Sequence, residues 1–152
     1  MAVEIERKFL VTGDAWRSGD STYYCQGYLN THQDRTVRVR IAGDKAFLTN
    51  KSFLSDTNRL EFEYPIPVDD AQQMLKLCDQ PPVEKNRFII PHVGFEWEVD
   101  EFLGANAGLI VAEIELESSD QSFEKPDWIG EEVTDDPRYL NSHLTKKPFS
   151  EW

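Results

Sequence analysis

Glu4, Glu6 and Lys8 fall at alternate positions near the start of the chain, and charge at that spacing recurs far along it. Arg38 and Arg40, Glu61 and Glu63, Lys85 and Arg87, Glu98 and Asp100, and Glu113, Glu115 and Glu117 repeat the pattern, with Thr49 and Lys51 as a mixed pair. In an extended chain, residues two apart share a face, so each group presents its charge to one side. Like charges at about 4 Å repel by roughly 4 kcal/mol at an effective dielectric near 20. Such faces are tolerable when ions complete them. Carboxylate pairs suit a hard divalent cation, Mg2+ or Mn2+. Arginine and lysine pairs suit the oxygens of a polyanion, Arg as a two-pronged donor and Lys as a point charge.

Strands must present these residues. The residues between them are apolar: Val3, Ile5 and Phe9 alternate with Glu4, Glu6 and Lys8, and Ile110, Ala112, Ile114 and Leu116 alternate with Glu113 and Glu115. Strands are expected at 3–11, 23–29, 36–42, 46–52, 60–66, 83–90, 95–102 and 109–117, separated by Gly-, Asp- and Asn-containing turns. Helices are expected at 69–77, capped by Asp69 or Asp70, at 119–124 behind a serine, and at 137–146 with Pro137 in its first turn. Many strands and few helices favour a mainly β fold over a β-α repeat. Turning the charged faces inward gives a closed eight-stranded antiparallel β-barrel, a tunnel with a polar lumen and a few peripheral helices. Its outward apolar faces then need cover, which hints at a homodimer.

At 152 residues the chain fits one domain, 1–152. A formal net charge of −12 argues against nucleic acid and against an anionic membrane surface. No apolar run approaches the roughly 20 residues needed to span a bilayer. The N-terminus lacks a signal-like apolar segment. Cys25 and Cys78 read as reduced thiols, and the expected location is cytoplasmic. His32, His92 and His143 are scattered without metal-ligand spacing, and no Ser-His-Asp, Cys-His or glycine-rich phosphate loop is evident.

Taken in order, these residues resemble the triphosphate tunnel metalloenzymes, or CYTH domain. Glu4-Ile-Glu6-Arg-Lys8 looks like that family's Glu-x-Glu-x-Lys signature. It is followed by Tyr28, Val37-Arg38-Val39-Arg40, Lys51, Glu61-x-Glu63, Glu84-Lys85-x-Arg87, Trp97-Glu98-Val99-Asp100 and Ala112-Glu113-Ile114-Glu115. The tail from Gly130 to Asn141 also resembles bacterial members. The resemblance implies a tunnel acting on triphosphates with divalent metal. By it, Glu4, Glu6, Glu113 and Glu115 are the principal metal carboxylates, with Glu61 and Glu63 nearby and Asp100 at a further acidic position. Lys8, Arg38, Arg40, Lys51, Lys85 and Arg87 are the implied triphosphate-binding set.

Tyr28 and Lys85 face the lumen by parity and are candidates to assist the attacking or leaving group, with structural hydrogen bonding an equal reading for Tyr28. The nearly bare barrel favours a small-molecule triphosphate, inorganic tripolyphosphate. An adenylate cyclase, a nucleoside- or thiamine-triphosphatase in the same tunnel, and a non-catalytic polyphosphate-binding module are the alternatives. Whether a second metal or a glutamate activates water stays open at this level.

Overall fold

Alternation of charged and apolar residues obliges each strand to send its two faces to different environments, and the chain resolves this by closing its sheet on itself. The computed structural model describes residues 3–32, 34–55 and 58–152. Among these described residues nine strands follow in chain order: β1 (Val3–Val11), β2 (Ser21–Asn30), β3 (Arg35–Ala42), β4 (Lys45–Phe53), β5 (Asn58–Ile66), β6 (Val83–His92), β7 (Phe95–Phe102), β8 (Ile110–Leu116) and β9 (Ile129–Glu132). Helix α1 (Val68–Leu75) separates β5 from β6, and α2 (Asn141–Leu144) lies near the C-terminus.

The sheet order is β5-β4-β3-β2-β6-β7-β8-β1, all antiparallel, and β1 returns to β5 through Val3↔Leu60, Glu4↔Arg59 and Ile5↔Asn58. This last pairing closes an eight-stranded antiparallel barrel. It is short. Beyond it β1 pairs instead with β9, through Phe9↔Glu132 and Val11↔Ile129. The chain after β9 continues the seam, with Val133 N–H donating to Lys8 O at 2.9 Å and Lys8 N–H to Thr134 Oγ1 at 3.0 Å.

Apolar side chains collect in separate bodies. Outside the barrel, Phe9, Trp97, Val99, Ala112, Ile114 and Leu116 project from β1, β7 and β8 and are covered by Trp16, Phe123 and Trp128. Trp97 is fully buried and meets Phe9, Phe123 and Trp128 edge-on at centroid distances of 5.6, 5.8 and 6.1 Å. A second body, containing Val83, Phe102 and Val111, packs with Val133, Tyr139 and Leu144. These three strand residues share parity with the charged face, so this body plugs the barrel at the end remote from Glu4. Helix α1 covers Val39 and Ala46. It can settle there because Gly27 has no side chain: a Cβ would lie 2.9 Å from Cys78 Sγ and 3.0 Å from Leu75 Cδ2.

Two expected helices change. Residues 119–124 make a turn at 119–120 and then run irregularly. Phe123 is drawn onto the rings of Phe9, Phe95 and Trp97, and Glu117 N–H is satisfied by Gln121 Oε1 at 2.7 Å, so tertiary anchoring prevails over a short helix. The segment 137–146 splits into a 3₁₀ turn, Pro137–Tyr139, and α2, with Leu140 extended between them. That break lets Tyr139 and Leu144 both enter the plug. Helix α1 starts behind Pro67 without a side-chain cap, and Asp69 and Asp70 lie in its first turn, where their charge favours the dipole. Strand β9 had no counterpart among the expected elements. Cys25 and Cys78 are free thiols.

Replacing Trp97 with Ala removes the ring around which three others pack. A loss of about 3–5 kcal/mol is expected in urea unfolding; a loss below about 1 kcal/mol would mean that the outer aromatic layer does not hold the barrel wall.

Candidate active site

Strand order decides where the charges meet. The acidic pairs of β7, β8, β1 and β5 lie on adjacent strands, and so do the basic residues of β4, β3 and β6, with β2 between β3 and β6. The lumen therefore has an acidic wall facing a basic wall around a cavity of about 360 Å³. Glu4, Glu6, Lys8, Tyr28, Arg38, Arg40, Lys51, Glu61, Glu63, Lys85, Arg87, Glu113 and Glu115 all line it. Of the expected site residues only Asp100 does not.

On the acidic wall Glu6 stands opposite Glu115, and Glu113 lies between Lys8 and Glu98 in adjacent strands. Lysines mediate this crowding. Lys51 Nζ lies 2.9 Å from Glu4 Oε1 and 3.4 Å from Glu61 Oε2, and Lys8 Nζ lies 3.4 Å from Glu113 and 3.8 Å from Glu6. Burial pushes the Glu4 carboxyl up and Glu61 adds to it, beyond what Lys51 offsets. Burial likewise raises Glu98. For Glu6 burial also acts upward, but Lys51 and Lys8 outweigh it and leave its carboxyl below the ordinary value. Among the described residues, no three His, Cys, Asp or Glu side chains form a ready-made metal cage. The donors nevertheless suit a hard divalent ion: they are carboxylate oxygens, and buried Glu4 Oε1 meets Lys51 at an angle that makes no well-formed hydrogen bond.

Buried counter-charge organises the basic wall. Arg87 grips Asp100 through two hydrogen bonds of 2.7 and 2.8 Å and reaches Glu98 at 3.3 Å. Lys85 Nζ lies 2.7 Å from Asp100 Oδ2 and donates to Asn141 Oδ1 at 2.9 Å. Lys85 and Asp100 are each 1% exposed. Burial lowers the Lys85 ammonium to about 7, with Arg87 and Arg40 assisting and Asp100 opposing. Burial would raise the Asp100 carboxyl, but Arg87 and Lys85 hold it well below the usual carboxylate range. Both Asp100 oxygens are thus occupied by cations, and Asp100 is not among the residues that line the lumen.

Arg40 has Gln26 Oε1 as its acceptor at 2.9 Å, and burial with Arg38 and Arg87 lowers it to about 10. Arg38 reaches Glu63 at 3.5 Å, while its buried Nε has no acceptor. The Tyr24 ring lies 4.8 Å from the guanidinium carbons of both Arg40 and Arg87 and 5.9 Å from Lys85 Nζ. Under-satisfied buried donors of this kind are the complement of an anion. Tyr28 OH lies 3.4 Å from Gln26 Nε2.

Several residues in or just behind the lumen wall escaped the sequence pattern. Tyr24 and Gln26 share parity with Tyr28, but neutral residues carry no charge signal. Arg59 shares parity with Glu61 but falls one residue before the strand expected at 60–66, which in the structure begins at Asn58. Asn141 reaches the lumen from the C-terminal segment, which no periodicity reveals.

Fold and lumen define a closed-barrel protein whose interior is divided between a carboxylate wall and a guanidinium and ammonium wall. The family model for the CYTH domain matches residues 2–147, and the chain belongs to that family. It is 52% identical over 151 residues to an inorganic triphosphatase of Acetivibrio thermocellus, covering 98% of this chain and 97% of that one. An inorganic triphosphatase of Nitrosomonas europaea is 38% identical over 146 residues, covering 93% and 95%. A crystal structure of an inorganic triphosphatase matches with a TM-score of 0.68 and 35% identity, covering 95% of each chain.

Asp100→Asn leaves Lys85 and Arg87 buried with half their counter-charge. Urea unfolding at pH 7 should show a loss of about 3–5 kcal/mol; near-wild-type stability would show that the pair is not held by this carboxylate. Because the native Glu4 carboxyl keeps its proton to higher pH than the unfolded chain does, its ionisation opposes folding. Glu4→Gln should therefore raise the urea midpoint in EDTA at pH 7, with the gain shrinking as pH falls through the native carboxyl's titration. A lowered midpoint at pH 7 would reverse that charge balance.

Proposed function

We propose that the chain is a divalent-metal-dependent triphosphatase that hydrolyses inorganic tripolyphosphate to pyrophosphate and phosphate. The observation that carries this is the opposition of an acidic and a basic wall across one closed lumen. The resemblance to two inorganic triphosphatases over nearly the full chain supports the same substrate.

Glu4, Glu6, Glu113 and Glu115, with Glu61 and Glu63 beside them, would hold Mg2+ or Mn2+. When bound, the ion supplies charge neutralisation on the phosphate oxygens. Arg38, Arg40, Lys85 and Arg87 take the anion from the opposite wall, with Lys8 and Lys51 between the two. Lys8 and Lys51 neutralise the carboxylates here, and with a divalent ion held by those carboxylates their ammonium groups would be available to phosphate oxygen. Positioned cations of this kind stabilise the charge that develops on the leaving pyrophosphate. Lys85, whose ammonium releases its proton near neutral pH, is suited to donate to that leaving oxygen. Glu98, whose carboxyl burial holds above its ordinary value and which lies outside the set given to the metal, is suited to take the proton of the attacking water. Tyr28 contributes a hydrogen bond to the lumen wall. Asp100 acts through Arg87 and Lys85 rather than on metal.

A cytoplasmic location fits the free thiols, and no helix among the described residues is long and apolar enough to cross a membrane. Phe62 and Tyr64, 44% and 56% exposed, favour a second copy of the chain as cover for the barrel's outer face.

Purified protein should release phosphate from tripolyphosphate in preference to ATP or pyrophosphate with Mg2+ or Mn2+, and not in EDTA. Glu6→Gln should lower that rate by at least about a hundredfold. Mg2+ should also raise the melting temperature of the EDTA-treated protein. Release mainly from ATP would move the substrate to a nucleotide, and a melting temperature indifferent to both metals would overturn the carboxylate wall as a metal site.

A further inference from the structure

The basic wall is not held by the barrel alone. Asn141 comes from the C-terminal segment, and its Oδ1 accepts two hydrogen bonds of 2.9 Å, from Lys85 Nζ and from Gln26 Nε2. Those two donors fill the acceptor capacity of one carbonyl oxygen. The second bond also fixes the direction of the Gln26 amide. With Nε2 committed to Asn141, Oε1 faces Arg40 Nε at 2.9 Å. A reversed amide would set a donor against the guanidinium. Asn141 thereby touches Lys85 directly and reaches Arg40 through one side chain.

Its own place is fixed from both sides. Tyr139 and Leu144 are buried in the plug with Val83, Phe102 and Val111, and the extended Leu140 delivers Asn141 between them to the cavity. Lys85 has a short carboxylate contact, Asp100, as its other anchor, and Arg40 has Gln26. Without an acceptor at Asn141, the ammonium is tethered on one side and the Gln26 amide is free to turn.

We propose that Asn141 is a positioning residue for triphosphate, orienting Lys85 directly and Arg40 through Gln26, so that the C-terminal segment completes the anion site as well as closing the barrel. This rests on the proposed function, since the two cations are taken as triphosphate contacts. Residues that act through one network give changes that do not add.

Asn141→Leu keeps the bulk and removes the acceptor. It should raise KM for tripolyphosphate at least tenfold with the melting temperature unchanged, and lower kcat as well because Lys85 is also the proposed proton donor; Gln26→Leu should raise KM in the same direction. The double variant should fall well short of the product of the two. A purely structural role would instead lower the melting temperature and kcat with KM unchanged, and that result, or full multiplicativity, would overturn the proposal. A readout independent of turnover is the proton–nitrogen correlation of the Lys85 ammonium in protein labelled with 15N-lysine, assigned by its absence in Lys85→Arg. It should be observed in the wild type and be lost or shifted in Asn141→Leu. An unchanged signal overturns the positioning role even if the enzyme is active. Absence of phosphate release by the wild type overturns the proposed function, while the ammonium signal still decides the role of Asn141.

Discussion

Charge enclosed in a barrel must be neutralised inside it, and the closure of β1 onto β5 imposes that condition on everything else. Open, the acidic and basic strands would face water and screen themselves. Closed, they face one another at distances where Lys51 bridges Glu4 and Glu61, and Arg87 bridges Asp100 and Glu98. The balance is incomplete in an informative way. Glu4 and Glu98 stay above their ordinary values, and Arg40 and Lys85 below theirs, so each wall retains charge that its neighbours do not settle. A metal ion bound with a polyphosphate, as proposed, would relieve both at once.

Since the polar faces point inward, the hydrophobic effect must act on the outside and at one end. Trp97 and its ring partners supply the first body, and the plug around Phe102 and Val111 the second. The short seam between β1 and β5 also explains β9. Only the first part of β1 finds β5 as a partner, and the rest would expose unpaired backbone groups beside Lys8 without β9 and the Val133–Thr134 contacts. The same chain then turns inward and brings Asn141 to Lys85, so repair of the seam and completion of the site come from one continuous segment.

Much of the site was legible because strand periodicity is two and charge is easily seen. Glu4, Glu6 and Lys8, or Glu113 and Glu115, can share a face only if extended, and their apolar neighbours then define the other. Helices were less legible. The 119–124 segment has a helix-like start, yet Phe123 gains more from the aromatic layer than a short helix provides, since nucleation is unfavourable at that length. The continuous helix expected at 137–146 failed for the same kind of reason, because Tyr139 and Leu144 both seek the plug.

What the sequence determined by itself was local: the eight strands that make the barrel, which face of each is charged, and hence that a polar lumen must form. These follow from backbone geometry over a few residues. Tertiary structure decided which strands are neighbours, and that order gathers β7, β8, β1 and β5 into one wall and β4, β3 and β6 into the other. It also withdrew Asp100 from the lumen into its pairing with Arg87 and Lys85, and it brought Gln26 and Asn141 together across 115 positions of chain. Periodicity carries no information about such pairs, because their energy comes from contact between segments rather than from the pattern within either one.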